Sequence, residues 1–240
     1  SSTGVWHPVD RLAAITRTRD NVLLVVDAVS ALGAVPMPMD AWGLDVLVTG
    51  SQKALMLPPG LAVIAASDRA WARAEKSSLP KFYLDLRRER KAQEKAQTAF
   101  TPAVSLIVGL AEALAMLREE GLTNVYKRHD KLARATRAAA KGMGLELFAK
   151  APSPTVTAVS APAGLSAKKL VKHMRDKYGV AIVAGQGSIE DQIFRVAHLG
   201  YYGAFDIVTV ASALEMSLCD LGAPVTRGAG VAAAEAILAE

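Results

Sequence analysis

Apolar positions along the chain follow two patterns, short continuous runs and runs spaced by three and four, and the continuous kind prevails up to Ala66. Val22-Leu-Leu-Val-Val26 is closed by Asp27, Asp45-Val-Leu-Val48 follows, and Leu61 to Ala66 is the third run. Runs without alternation predict strands, and the first of them predicts a strand buried on both faces of a parallel sheet. Ahead of them Val9, Leu12, Ala13 and Ile15 share one helical face behind Pro8, which predicts a short helix over residues 8–19. Gly33, Pro36 and Gly43 make the stretch between the first two runs mostly loop, and Pro58-Pro-Gly60 turns the chain into the third.

Helical spacing then takes over. Residues 68–76 and 83–93 predict two short helices separated at Ser77-Ser-Leu-Pro80. Ile107, Leu110, Leu114 and Leu117, then Leu122, Val125, His129, Leu132 and Thr136, predict two longer helices that meet at Gly121. Beyond Leu145, β-like segments at 145–148, 155–159, 180–183 and 193–197 enclose an amphipathic helix over 166–178. Ile207, Ala211, Leu214, Leu218 and Leu221 predict a long helix, and the Ala-rich residues 231–238 a final one. The pattern predicts an α/β architecture: residues 1–143 as part of a mostly parallel sheet with helices, and residues 144–240 as a small C-terminal α+β domain.

Composition narrows the function classes. The chain is 51% apolar and 21% charged, and no apolar run approaches the roughly 18 residues a membrane helix needs, so a soluble cytoplasmic protein without a membrane partner is expected. The single cysteine, Cys219, excludes an internal disulfide within this sequence and fits a reducing compartment. The net charge of +5 is dispersed, Arg87-Arg-Glu-Arg-Lys91 reads as a solvated helix face, and with 5% aromatic residues no nucleic-acid surface is predicted. His7, His129 and His173 lie on different elements and give no metal-ligand spacing, and His198 reads as a loop-stabilising residue. Gly185-Gln-Gly187 is too short for a dinucleotide loop and reads as a flexible segment, and Gly228-Ala-Gly230 as a hinge.

Within this frame Lys53 stands out, because the run ending at Val48 delivers it into the polar turn Gly50-Ser-Gln-Lys53 instead of onto a solvated helix. A lysine amine held in such a place can act as a nucleophile toward a carbonyl. Asp27 closes the preceding parallel strand, at the end where open α/β sheets place their ligands. Ser51 and Gln52 offer donors beside the lysine. Arg195, flanked by Phe194 and Val196 on a short strand, points away from them and has the planar fork that grips a carboxylate with two parallel hydrogen bonds.

Ser1-Ser-Thr-Gly4, Val26-Asp-Ala-Val-Ser-Ala-Leu-Gly33, Asp45-Val-Leu-Val-Thr-Gly-Ser-Gln-Lys-Ala54 and Pro58-Pro-Gly60, in this order and spacing, resemble the class-V, fold-type I pyridoxal phosphate aminotransferases, in particular the alanine-glyoxylate and serine-pyruvate branch. The resemblance implies that Lys53 holds pyridoxal 5'-phosphate as a Schiff base, that Asp27 pairs with the ring nitrogen, that Val29 packs on the ring and that Gln52 reaches the phosphate. Ser2 matches a cofactor-contacting serine, and Thr101 a residue that reaches the phosphate in the neighbouring subunit of a homodimer. Arg195, in Ile193-Phe-Arg-Val-Ala-His-Leu-Gly200, matches the residue that binds the substrate carboxylate. The implied activity moves an amino group from a small amino acid, alanine or serine, to a 2-oxo acid such as glyoxylate. The chain opens without a methionine and in mid-motif, so it is expected to be a piece of a longer protein whose upstream part carries a glycine-rich phosphate turn and an aromatic that stacks on the cofactor. Two alternatives stay open: a truncated, inactive aminotransferase-like binding domain, and a cysteine desulfurase-like lyase, although Gln52 stands where a desulfurase has a histidine.

Overall fold

The computed structural model describes residues 2–240; Ser1, the first residue of the Ser-Ser-Thr-Gly motif, lies outside the described residues. In chain order the elements are α1 (Val9–Thr16), β1 (Val25–Asp27), α2 (Met39–Trp42), β2 (Val46–Gly50), β3 (Ala62–Ala66), α3 (Asp68–Glu75), α4 (Leu86–Gln93), α5 (Val104–Glu120), α6 (Leu122–Gly142), β4 (Val156–Ser160), α7 (Ala167–Tyr178), β5 (Val183–Ala184), β6 (Ile193–Ala197), α8 (Ala204–Asp220) and α9 (Ala229–Leu238). The chain divides into two compact units. One comprises residues 8–29 and 37–116 and carries Lys53; the other comprises residues 1–7, 30–36 and 117–240 and carries Arg195.

In the Lys53 unit the sheet has the order β1-β2-β3. β1 pairs in parallel with β2, Asp27 opposite Val48, and β3 returns antiparallel to β2. The expected strand over 22–26 begins three residues later. The amide of Leu24 donates to the carboxylate of Asp45 (2.8 Å) in place of a ladder carbonyl. That carboxylate is buried and also takes Arg69 through both of its oxygens, at 3.0 and 3.2 Å. Among the described residues β1 lies at the edge of this sheet, with Val25 61% exposed and Val26 buried, so the strand expected to be buried on both faces is covered by these residues on one.

Sequence-local chemistry sets the helix starts in this unit. Ser67 caps α3 by accepting the Ala70 amide, and Asp85 caps α4 by accepting the Arg87 amide, which is why α4 begins at Leu86 and not at Tyr83.

In the Arg195 unit the strand order is β4-β6-β5, all antiparallel. Phe194 and Val196 of β6 face the core with Leu170 and Met174 of α7, Ile207 and Leu214 of α8, and Leu132 of α6. The long helix α6 packs against α9 through small residues: a Cβ on Gly142 would sit 2.7 Å from the Ala229 carbonyl oxygen. Glu215 of α8, buried, accepts the amides of Gly228 and Gly230 and so ties down the first turn of α9 with a charge that suits a helix N-terminus. The Gly228-Ala-Gly230 segment read as a hinge is therefore a capped and packed helix start.

The segment 145–148, expected as a strand, contributes one bridge, Leu147 to Val159. Gly144, with φ of +75°, turns the chain out of α6 just before it. Among the described residues no helix is long and apolar enough to cross a membrane, and no group of three or more His, Cys, Asp or Glu could hold a metal ion.

Candidate functional site

Within the Lys53 unit the parallel pairing of β1 and β2 brings two of the sequence-predicted residues to one sheet edge. Asp27 ends β1, and Lys53 follows the end of β2 by three residues. The Ala28 amide continues the ladder to the Val48 carbonyl (2.8 Å), so both strands leave the sheet in register. Asp27 is exposed, and its Oδ1 accepts the Val29 amide (2.9 Å) in a tight turn that leaves Val29 half-buried beside it. Its Oδ2 has no hydrogen-bond partner among the described residues.

Lys53 is half-buried, and its Nζ has no hydrogen-bond or ion-pair partner among the described residues. The turn that presents it is closed by Ser51, which is fully buried. Ser51 Oγ donates to the Pro58 carbonyl (2.7 Å) and accepts the Leu61 amide (3.2 Å), while its backbone amide reaches the Leu61 carbonyl (3.1 Å). Its carbonyl takes the Leu57 amide (3.1 Å), and the Met56 amide binds the Lys53 carbonyl (2.9 Å). Residues 51–61 thus form a stapled loop, not a free one. The reading of Ser51 as a donor beside the lysine is corrected, because its hydroxyl proton is committed to Pro58.

Gln52 is exposed and folds back over the turn: a Cβ on Gly50 would lie 2.7 Å from its Oε1. Thr101, also exposed, lies in the irregular segment between α4 and α5.

The Arg195 unit holds the other two predicted residues together. Arg195 sits in the middle of β6, opposite Ala158 on one side and Val183 on the other. Its Nε donates to the Ala184 carbonyl (3.0 Å) and its Nη1 to the Ser2 carbonyl (3.4 Å). Ser2, itself exposed, is brought there by a segment that runs along residues 151–158: the Trp6 amide binds Ala151 and the Ser153 amide binds Gly4.

The chain leaving β6 is pinned by adjacent residues of α6. His129, buried, donates from Nδ1 to the Val125 carbonyl (2.7 Å) and accepts the Gly200 amide at Nε2 (3.0 Å). Arg128 Nη1 donates to the carbonyls of Gly200 (2.8 Å) and Tyr202 (3.0 Å), and Glu120 holds the same guanidinium at 2.7 and 2.9 Å. The Arg128 hydrogen bonds keep the Glu120 carboxyl below its usual range, and burial lowers His129, whose ring accepts at Nε2 and so carries its proton on Nδ1.

His198 is fully buried against the Thr157 hydroxyl (2.9 Å), and burial, with the Arg137 guanidinium as the next cause, pushes it down to about 3. Its expected structural role agrees with this geometry. Sequence reading missed the clamp at Gly200, since Arg128 and Gly200 are joined only by the fold. Cys219 of α8 is half-buried with Sγ 3.7 Å from the Val225 carbonyl, more open than the buried thiol its position predicts.

An amine and a carboxylate oxygen that both lack a partner among the described residues, at one sheet edge, suit an aldehyde-bearing aromatic base, the amine for the aldehyde and the carboxylate for a protonated ring nitrogen. The donor set therefore fits the cofactor that the sequence implies.

Residues 1–201 match the family model described as Aminotransferase class-V. Among curated relatives, the small subunit of a soluble hydrogenase from Synechococcus sp. (strain PCC 6716) is 45% identical over 99% of this chain and 62% of its own length. The serine–glyoxylate aminotransferase of Methylorubrum extorquens is 41% identical over 100% of this chain and 62% of its own. The crystal structure of ureidoglycine-glyoxylate aminotransferase from Bacillus subtilis superimposes with a TM-score of 0.93 at 28% identity, over 100% of this chain and 63% of that one. The chain thus spans somewhat under two thirds of the length of these relatives, and its architecture is a partial fold-type I aminotransferase.

Proposed function

The chain belongs to the class-V aminotransferases, a family of pyridoxal phosphate enzymes, and on that premise we propose that it is part of an aminotransferase moving an amino group from a small amino acid, alanine or serine, to a 2-oxo acid such as glyoxylate. The observation that carries the reading is the half-buried amine of Lys53, unpartnered among the described residues and presented by a stapled loop at the same sheet edge as Asp27.

In this reading Lys53 holds the aldehyde carbon of pyridoxal phosphate, Asp27 keeps a proton on the ring nitrogen, Val29 lies against the ring, and Gln52 and Ser2 contact the cofactor. Thr101 reaches the phosphate of a neighbouring subunit in a homodimer. When bound, the cofactor supplies an electron-poor ring that accepts the electron pair left at the donor's Cα. Arg195 would grip the donor carboxylate, and the Lys53 amine would serve as the general base and acid that moves the donor's Cα proton. The assignment of residues 1–143 to the large domain and 144–240 to the small one, and a cytoplasmic location, belong to the same proposal.

Absorption spectroscopy tests the reading. Pyridoxal phosphate added to this chain extended upstream to its relatives' full length is expected to give a band at the violet edge of the visible, which Lys53→Ala abolishes together with at least about a thousandfold of activity. Absence of the band in that extended protein sinks the proposal, and a band there but not in the 240 residues alone assigns binding to both parts together.

A further inference from the structure

The Gly185-Gln-Gly187 segment has no part in the chemistry above, yet it directly follows Ala184, whose carbonyl accepts Arg195 Nε. β5 is an edge strand whose inner side pairs with β6. The peptide unit joining Ala184 to Gly185 has both of its polar groups committed to residues of β6. Its N–H, from Gly185, donates to the Ile193 carbonyl (2.8 Å), and its carbonyl, from Ala184, accepts Arg195 Nε (3.0 Å). In a trans peptide these groups point to opposite sides, so with the N–H turned toward β6 the carbonyl faces the open edge of the sheet. Arg195 reaches over β5 to that edge, where its guanidinium is held by the Ala184 carbonyl at 3.0 Å and, at the longer distance of 3.4 Å, by the Ser2 carbonyl. Nη2 is left without a partner among the described residues, and Nη1 with a single 3.4 Å bond.

Gly185 lets that peptide unit lie where it does. A Cβ there would overlap the Ile189 carbonyl oxygen, lie 2.7 Å from its carbon, and lie 2.9 Å from Ile193 Cγ1. The first two are backbone, in the turn at 187–189, and cannot swing aside as a side-chain tip can. Any other residue must open this turn or rotate the Ala184 carbonyl. Gly187 differs: its φ is +58° and an added Cβ meets nothing within 4 Å.

We infer that Gly185 is a positioning residue for the amino-donor carboxylate: the close fold of residues 185–189 aims the Ala184 carbonyl, which aims the free edge of the Arg195 guanidinium. A guanidinium fixed before the donor arrives loses less side-chain freedom on binding, and the gain is read in donor affinity and not in the chemical step.

The inference rests on the carboxylate-binding role proposed for Arg195, and donor kinetics in the upstream-extended protein separate the two. Gly185→Ala is expected to raise the KM for the amino acid roughly tenfold with kcat within about threefold, and to leave the single-turnover rate with ethylamine, which has no carboxylate, unchanged. Gly187→Ala, which strains the same turn without moving the peptide, keeps the wild-type KM. A Gly185→Ala enzyme with wild-type KM beside an Arg195→Ala enzyme with raised KM overturns the inference and leaves the functional reading standing. Equal effects of the two glycine variants overturn it as well, and an unaltered KM in Arg195→Ala removes the functional reading itself. Should Gly185→Ala fail to fold, the wild-type protein decides: a slowly exchanging Arg195 Nε–H signal in arginine-labelled protein, assigned by its loss in Arg195→Lys, supports the anchor, and fast exchange overturns it.

Discussion

The two units solve the same problem, holding one candidate functional side chain at a strand end or strand centre, by different means. β6, which carries Arg195, is paired on both sides and turns Phe194 and Val196 into a core that its own unit supplies. β3, which closes the loop behind Lys53, is an edge strand: Val63 is 38% and Ile64 41% exposed, and none of its residues is buried. Large apolar side chains stay exposed elsewhere in the same unit, among them Leu79, Phe82, Tyr83 and Leu84. Hydrophobic burial fixes the strand that carries Arg195, whereas the Lys53 loop combines the buried Ala54 and Leu55 with the hydrogen bonds of Ser51. Packing is insensitive to any single polar group; a hydrogen-bonded staple is not.

Core truncation is the harshest way to break that comparison. Phe194→Ala is expected to destabilise the Arg195 unit by about 3–5 kcal/mol, while Val63→Ala on the open strand shifts stability by no more than about 0.5 kcal/mol. Denaturant titration of both variants checks the contrast, and similar losses would mean that the two sheets are packed alike.

Acid comes next, because only the Arg195 unit depends on buried histidines held neutral. His198 is lowered to about 3 and His129 is lowered as well, both chiefly by burial. The unfolded chain takes up these protons near pH 6.5 and the folded one does not, so the histidine contribution is complete above that pH. As pH falls from about 6.5 toward 3, stability drops by a few kcal/mol, in order of magnitude. His198→Asn is expected to flatten this part of the pH profile of melting temperature, and a profile as steep as the wild type's would argue against it.

The smallest of the three effects is also the most local. Ser51→Ala removes the hydroxyl bonds to Pro58 and Leu61 and is expected to cost about 1–2 kcal/mol. Hydrogen exchange at the Leu61 amide should accelerate while the β6 amides stay protected. Unchanged exchange at Leu61 would show that the loop is held by packing after all.

Much of this fold is legible in the sequence where local chemistry decides. The bounds of β6 are those of its apolar stretch, Ser166 caps α7 by accepting the Lys169 amide, and the three-and-four spacing places α5, α6 and α8. Reading fails where a distant group takes over a backbone polar group: β1 starts late because Asp45 claims the Leu24 amide, and residues 145–148 make one bridge instead of a strand. By contacts, α6 falls with the C-terminal elements, since its small residues meet those of α9.

At the candidate site the division has the same physical cause. The order of the motifs and the parallel run from Asp27 to Lys53 follow from residue type and spacing, because a strand's end and the turn after it are local matters. What the fold alone decides is which polar atoms are already spoken for. Ser51 is spent on its own loop, Lys53 is left without a partner among the described residues, and Arg195 is aimed by a carbonyl eleven residues away in sequence through a turn only glycine can make. Hydrogen-bond partners are set by tertiary distance and close contacts by excluded volume, and neither is encoded within the few residues on either side of the groups concerned.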